Sequence, residues 1–350
     1  MKFNHISPGP LLLLWPEHRI AVPIAPCKNA KQDRSVGNSC LLCEWPEAIT
    51  LAMLRKLAQA SALLDVATTP APMVEIQTVT HLKCETRVRS EAAIRALCHS
   101  AYMGEHLVLC RVLGRYKMYV DGRDIGIAPH LMLDGYWEMW VTEVLVSLVR
   151  KGMVVADIGA NLGYFSLLMA DLVGASGQVH AFEPNPHMTG LLHRSLSVNG
   201  FSQRVHVHQV ALGAENEGQV ALHVPHEDPK NAHILPMGDT LPEGAVAVPQ
   251  ARLDGRVDWS AIEFAKIDVE GAEQLVWAGA QGLLDSGTLK TVVLEFTSAR
   301  YSDPAGFLKT LLAPGFSLSY IHYTKGIVSI TPEEVLERDP HVDIMLVLRR

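Results

Sequence analysis

The chain predicts an α/β fold built on a doubly wound, mostly parallel sheet, and three observations carry that prediction. From residue 153 onward, short apolar runs alternate with stretches of helical period. The first run, VVADIGANLG at 154–163, ends in Asp157 and passes into a helical pattern through Gly159, Asn161 and Gly163. A second run, QVHAFEP at 178–184, follows at βαβ distance and closes on Glu183.

The elements follow in order. Strands are expected at 153–158, 178–183, 205–212, 264–269, 291–296 and 316–322, with helices at 162–173, 186–199, 271–284 and 304–313. The last run, HVDIMLVLR at 341–349, has no strong crossover helix before it, so an antiparallel strand is expected there. Between 213 and 252 the pattern breaks into short strands and a proline-containing loop. Upstream, residues 1–45 are rich in prolines and polar residues without a sustained period and read as disordered. Residues 47–65 place Ile49, Met53, Leu57, Ala60 and Leu64 on one helical face. A second helix is expected at 90–101, and 106–124 alternates as a β-hairpin turning at Gly114-Arg115. The organisation is therefore a 1–45 tail, an α+β accessory cap at 46–140 and a catalytic domain at 141–350.

Composition bounds the function. A chain of 350 residues, 48% hydrophobic and 19% charged, can bury one large core plus a smaller attachment. A net charge of -7 gives no reason to expect nucleic acid, and Arg111, Arg115, Lys117 and Arg123 read as the solvated face of the hairpin. The run LLLLW at 11–15 is bracketed by prolines and too short to cross a bilayer, so no membrane role and a cytoplasmic setting are expected. Six cysteines at irregular spacing fit a reducing compartment. Cys40 and Cys43 form a lone C-x-x-C with Cys27 upstream and His18 as a conceivable fourth ligand. The second paired motif of a zinc site is missing, so no metal is expected.

The loop chemistry selects a ligand. Glycines where a strand hands over to a helix allow a ligand to touch the backbone, as in nucleotide pockets. A dinucleotide pocket uses G-x-G-x-x-G, whereas this chain has Gly159-x-Asn161-x-Gly163 preceded by Asp157. An acidic group there repels a pyrophosphate and suits a ligand with an ammonium and no phosphate, of which S-adenosylmethionine is one. Glu183 suits two adjacent ribose hydroxyls, because a carboxylate accepts from both.

About a hundred residues on, FAKIDVEGAE at 264–273 sets Lys266, Asp268, Glu270 and Glu273 around another apolar strand. With this run the chain resembles the FkbM family of S-adenosylmethionine-dependent methyltransferases. The resemblance rests on DIGANLGYFS (157–166), HAFEPNP (180–186), KIDVEGAE (266–273), VVLEF (292–296) and the lead-in DGYWE (134–138), and covers roughly 105–350. It implies a class I methyltransferase (Rossmann-like) sheet, S-adenosylmethionine as cofactor and O-methylation of a sugar, glycan or secondary-metabolite hydroxyl.

Ligands of open α/β sheets sit beyond the strands' carboxyl ends, where Asp157, Glu183, Asp268, Glu295 and His322 all fall. Asp157, Gly159, Asn161, Gly163 and Glu183 are the expected cofactor residues. An attacking hydroxyl must lose a proton, and Asp268 is the first candidate to take it, with Glu270, Glu295 and His322 as alternates. A metal-assisted version through Asp268 and Glu270 lacks a clear third ligand. Glu273 reads as a first-turn residue facing the helix dipole, and Tyr164 and Phe165 as pocket lining or core. Two competing readings are a nicotinamide oxidoreductase, disfavoured by the glycine spacing, and a non-catalytic binding module whose cap recruits a partner.

Overall fold

The run Val154–Ile158, apolar but for Asp157, forms strand β4 in the interior of an eight-stranded sheet, where both its faces are covered. The computed structural model describes residues 79–225, 232–235, 241 and 243–350. The expectations for 1–45, for the 47–65 stripe and for Cys27, Cys40, Cys43 and His18 lie outside the described residues.

After a 3-10 helix at Val79–Lys83 come helix α1 (Arg87–Leu97), strands β1 (Ser100–Gly104), β2 (Leu107–Val112) and β3 (Tyr116–Asp121), and helices α2 (Ala128–Leu133) and α3 (Met139–Leu148). After β4 come α4 (Tyr164–Val173), β5 (Gln178–Phe182), α5 (Pro186–Asn199), β6 (Val205–His208) and β7 (Ala211–Leu212). Strands β8 (Gln219–His223), β9 (His233–Leu235) and β10 (Ala245–Ala251) lead to β11 (Phe264–Ile267), α6 (Glu273–Ala278) and α7 (Gln281–Asp285). The remainder is β12 (Thr291–Phe296), α8 (Pro304–Leu312), β13 (Ser317–His322), β14 (Gly326–Ser329), α9 (Pro332–Leu336) and β15 (Ile344–Arg349).

The large sheet has the order β14-β13-β15-β12-β11-β4-β5-β6. Strand β15 runs antiparallel between β12 and β13, as the missing crossover helix implied, and β14 is also antiparallel. From β4 the chain winds outward through β5 and β6, then returns to β11 on the other side. This reversal opens a crevice at the carboxyl ends of β4 and β11. Successive strand residues face opposite ways: Val155 and Val293 pack with α4 and α5, whereas Ala156, Val292 and Leu294 pack with α6 and α8.

Several local expectations change. The helix expected at 90–101 ends at Leu97, because Ser100, Ala101 and Tyr102 pair with Cys110, Leu109 and Val108 as a third strand. The hairpin 106–124 stands, and Arg111, Arg115, Lys117 and Arg123 are exposed on it. Strand 205–212 breaks after His208, since Ala211–Leu212 leaves the large sheet to pair with β10. Helix 271–284 splits at Gly279, where a Cβ would stand 2.0 Å from the Gly213 carbonyl oxygen. Helix α9, outside the expected elements, opens on a capping box of Thr331 with Glu334, whose sequence signal is T-P-E-E.

The small sheet β1-β2-β3 is not separate from the core: Val108, Val112, Met118 and Val120 share one buried cluster with Leu167 and Leu192. Its β3 edge is closed by α5 side chains. Ser195 accepts from the Tyr119 amide at 3.0 Å, and Asn199 both accepts from and donates to Lys117.

On β5 and β6 a stack of rings gives the fold a pH dependence. His180, buried, stacks on His208 with centroids 5.3 Å apart and its Nδ1 3.1 Å from the partner's Nε2, while Phe182 and Trp259 close the stack. Burial pushes both imidazoles down to about 4 from the ordinary 6.5, with neighbouring histidines adding to the shift. The unfolded chain therefore takes up protons first. The stack's stabilisation is complete above about pH 6.5 and is lost as pH falls toward 4. The thermal midpoint should decline over that window, and His208→Phe should flatten the decline; an unchanged slope would refute this account.

Candidate cofactor and active site

The loop after β4 is shaped by contacts with its own chain. Gly159 has φ +79°, and a Cβ there would lie 1.8 Å from the Asp268 carbonyl oxygen; at Gly163, φ +95°, it would lie 2.1 Å from Leu192 Cδ1. Both glycines line the cavity, and their missing side chains also let the loop pack on β11 and α5. Its amides are also committed. Gly159 and Ala160 donate to the Phe182 carbonyl, Asn161 to Glu183, Leu162 to the Asn161 side chain and Gly163 to the Ala160 carbonyl. A pyrophosphate needs such N–H groups free, so the dinucleotide reading loses its anchor.

Glu183 is buried at 7% exposure and lines a cavity of about 280 Å³ above this loop. Its Oε2 accepts from the Asn161 amide and its Oε1 from the Asn185 amide, both at 2.8 Å. Burial pushes the carboxyl up to about 7, opposed by those two amides. Each oxygen keeps a lone pair for a hydroxyl. Glu183→Ala should weaken S-adenosylhomocysteine binding by about 1.5–3 kcal/mol in calorimetry, and an unchanged affinity would remove Glu183 from the cofactor site.

Asp157 does not stand where the sequence placed it. It is fully buried and absent from the cavity wall, with Oδ2 accepting from Ser166 Oγ at 2.6 Å. Strand register sets it opposite Lys266. Burial raises its pKa, against the nearby Lys266 charge. The Asp157 carboxyl in turn acts on Lys266, favouring its charged form.

Lys266 belongs to the KIDVEGAE run and lies on β11. A lysine inside the buried run FAKI is costly unless paired, and that was the available signal. Its Nζ lies 2.8 Å from Asp268 Oδ2 and 4.7 Å from the centre of the Phe165 ring. Burial alone would lower its pKa, but the Asp268 and Asp157 carboxylates outweigh that and raise it. Tyr164 and Phe165 both line the cavity and pack in the core, and Tyr164 hydrogen-bonds Thr142.

Asp268, Glu270 and Glu295 converge, with one oxygen of each within 4.8 Å of the others. Their carriers explain this: Asp268 and Glu270 follow β11, Glu295 lies on β12, and β11 pairs with β12 in parallel. Glu273 opens α6, as expected, but is fully buried and braces the loop, accepting from the Val269 and Gly271 amides and from Tyr301. Arg300 bridges Glu270 at 2.7 Å and Glu295 at 2.6 Å. Burial first, then neighbouring carboxylates, push Glu270 up to about 7 and Glu295 up to about 9, against the pull of the Arg300 guanidinium. The third carboxylate that a cation site lacked in the sequence is thus present, although the Arg300 guanidinium already bridges two of the three.

His322 is not brought to this rim. It ends β13, separated from β12 by β15, and its Nδ1 accepts from the Thr324 and Lys325 amides in the turn to β14. The cavity instead takes in Trp137 and Glu138, from the lead-in, and Arg300 and Asp343.

Residues 157–318 match the family model described as methyltransferase FkbM domain. The chain carries an FkbM methyltransferase domain. Among curated proteins, a tRNA wybutosine-synthesizing protein 2 homolog of Rattus norvegicus is 40% identical over 70 residues, 19% of this chain and 16% of that one. A protein-L-isoaspartate O-methyltransferase of Methanothrix thermoacetophila is 40% identical over 48 residues, 14% and 23% of the respective chains. The matched stretches thus span less than a quarter of either relative. Among solved structures, methyltransferase FkbM from Methylobacillus flagellatus KT superposes with a TM-score of 0.38 at 19% identity, over 58% of this chain and 45% of that one. Aeropyrum pernix fibrillarin with S-adenosyl-L-methionine gives 0.34 at 12%, over 72% and 97%.

S-adenosylmethionine is the cofactor of the FkbM domain. The residues present fit it: Glu183 offers a carboxylate to a ribose, and Phe182, Val210 and Leu212 give an apolar wall for a base.

Proposed function

We propose that the protein is an S-adenosylmethionine-dependent O-methyltransferase acting on a hydroxyl of a small-molecule or glycan acceptor, such as a sugar or secondary metabolite. The observation that carries this reading is the Asp268 carboxylate. It lines the cavity beside the glycine loop, with Oδ2 held by Lys266 and Oδ1 left for an acceptor. The bound cofactor supplies a methyl group already activated on a sulfonium, so the protein's work is alignment and proton removal.

Asp268 accepts the hydroxyl proton, and Lys266, donating to its Oδ2 at 2.8 Å, holds the carboxylate in place. Glu270 and Glu295, tied by Arg300, form a rigid polar edge that hydrogen-bonds neighbouring hydroxyls. The accessory cap contributes its own wall, since Ile127, Trp137 and Glu138 face the same cavity.

A screen of labelled methyl transfer across sugar, glycan and metabolite acceptors tests the proposal. Transfer to hydroxylated acceptors is expected. Transfer confined to amines or to RNA would overturn the O-methyl assignment, and no cofactor binding at all would return the chain to the binding-module reading. The irregular cysteine spacing supports a reducing, cytoplasmic setting; among the described residues Cys84, Cys98 and Cys110 are free thiols and no helix is long and apolar enough to cross a membrane.

A further inference from the structure

The segment 213–252, where the alternation of strands and helices breaks, supplies β8, β9 and β10. With β7 they form a four-stranded sheet of order β7-β10-β8-β9, outside the large one. Leu222 of β8 and Ile234 of β9 are cross-strand partners, and both line the cavity of about 280 Å³ together with Ala232. The side chains that this segment adds to the wall are all aliphatic.

Backbone hydrogen bonds fix which end of the cavity this wall closes. The His208 carbonyl accepts from the Glu183 amide at 3.1 Å and from the Val210 amide at 2.9 Å. Glu183 and the run Val210–Leu212 therefore stand together at the carboxyl ends of β5 and β6. From there β7 pairs with β10, and Leu222, Ala232 and Ile234 pack in one cluster with Ala211. Asp268 and Glu295 belong to β11 and β12, on the far side of β4 from β5. The aliphatic wall thus closes the Glu183 end, away from the converging carboxylates.

We propose that segment 213–252 is the base cover of the cofactor site, with Leu222 and Ile234 packing on the adenine ring of S-adenosylmethionine beside Val210 and Leu212. The inference rests on the cofactor reading above and adds the element that holds the base. A ribose held by Glu183 leaves its purine next to Val210–Leu212, where the cover is found. A purine presents two flat faces of low polarity, and aliphatic side chains take such a face out of water. The cover grips the ring by its face, and the acceptor is left to the carboxylate end.

Calorimetry with S-adenosylhomocysteine and methylthioadenosine, which share the adenine and the ribose, tests the assignment. Ile234 is half-buried on the edge strand β9, so Ile234→Ala spares the core. Both nucleosides should bind this variant about fivefold or more weakly, by a similar factor, with Ile234→Val between it and wild type. Leu235→Ala, on the opposite face of β9, controls for the position of the hairpin and should leave both affinities within about twofold. Unchanged affinities in Ile234→Ala would give the wall to the acceptor and overturn the proposal. Weakening of S-adenosylhomocysteine alone would overturn it too, by placing Ile234 at the amino acid, as would an equal loss in Leu235→Ala, the mark of a displaced hairpin. A wild-type protein that binds neither nucleoside would instead overturn the cofactor reading, and this inference with it.

Discussion

Asp268→Asn is expected to lower turnover by about 10²–10⁴-fold while S-adenosylhomocysteine affinity stays within a few-fold. The amide preserves shape but cannot take a proton at neutral pH. The substitution also removes the nearest anion from buried Lys266, leaving Asp157 as its counter-charge, so a lower thermal midpoint is expected alongside the rate loss. Affinity for the product nucleoside therefore serves as the control for an intact site. Full activity would move proton acceptance to Glu270 or Glu295; a loss of affinity matching the loss of rate would make Asp268 a cofactor ligand. Chelator adds a second discrimination. The proton-acceptor reading expects no effect of EDTA, whereas loss restored by Mg²⁺ would reassign Asp268, Glu270 and Glu295 as a cation site.

Gly159→Ala should be the most damaging change in the loop. The new methyl would sit 1.8 Å from the Asp268 carbonyl oxygen and 2.8 Å from its carbonyl carbon, at φ +79°. Both obstacles are backbone, so neither can swing away. A destabilisation of about 4 kcal/mol or more is expected, which lowers Tm on the order of 10 °C in a domain of this size. If the chain tolerates the change by moving the loop, Asp268 moves with it and turnover falls. Gly190→Ala in α5 is the control, because a Cβ there meets nothing within 4 Å; helix propensity should make it neutral or stabilising by about 0.5–1 kcal/mol. A wild-type Tm and rate for Gly159→Ala would refute the close packing of loop on strand.

Much of the parallel sheet was legible because its signals are local. A buried strand announces itself as an apolar run such as VVADI or VVLEF, and a helix by its 3.6-residue period. Boundaries failed where a distant partner overruled local preference. Ser100–Gly104 became a strand by pairing with β2, and Ala211–Leu212 left the large sheet for β10.

The amino-acid sequence alone determined the α/β class, the order of alternating elements, the antiparallel last strand and the position of Glu183 at the end of β5. These depend on spacing along the chain. Only the tertiary structure decided which strand ends meet. Inserting β15 between β12 and β13 carries His322 away from the rim, while pairing β11 with β12 joins Glu295 to Asp268 and Glu270. It also turned Asp157 into a buried counter-charge for Lys266 and brought Glu138 into the cavity from the lead-in segment. Charge, burial and hydrogen bonding act over a few ångströms. The sequence states only how many residues separate two groups, and the fold sets the distance between them.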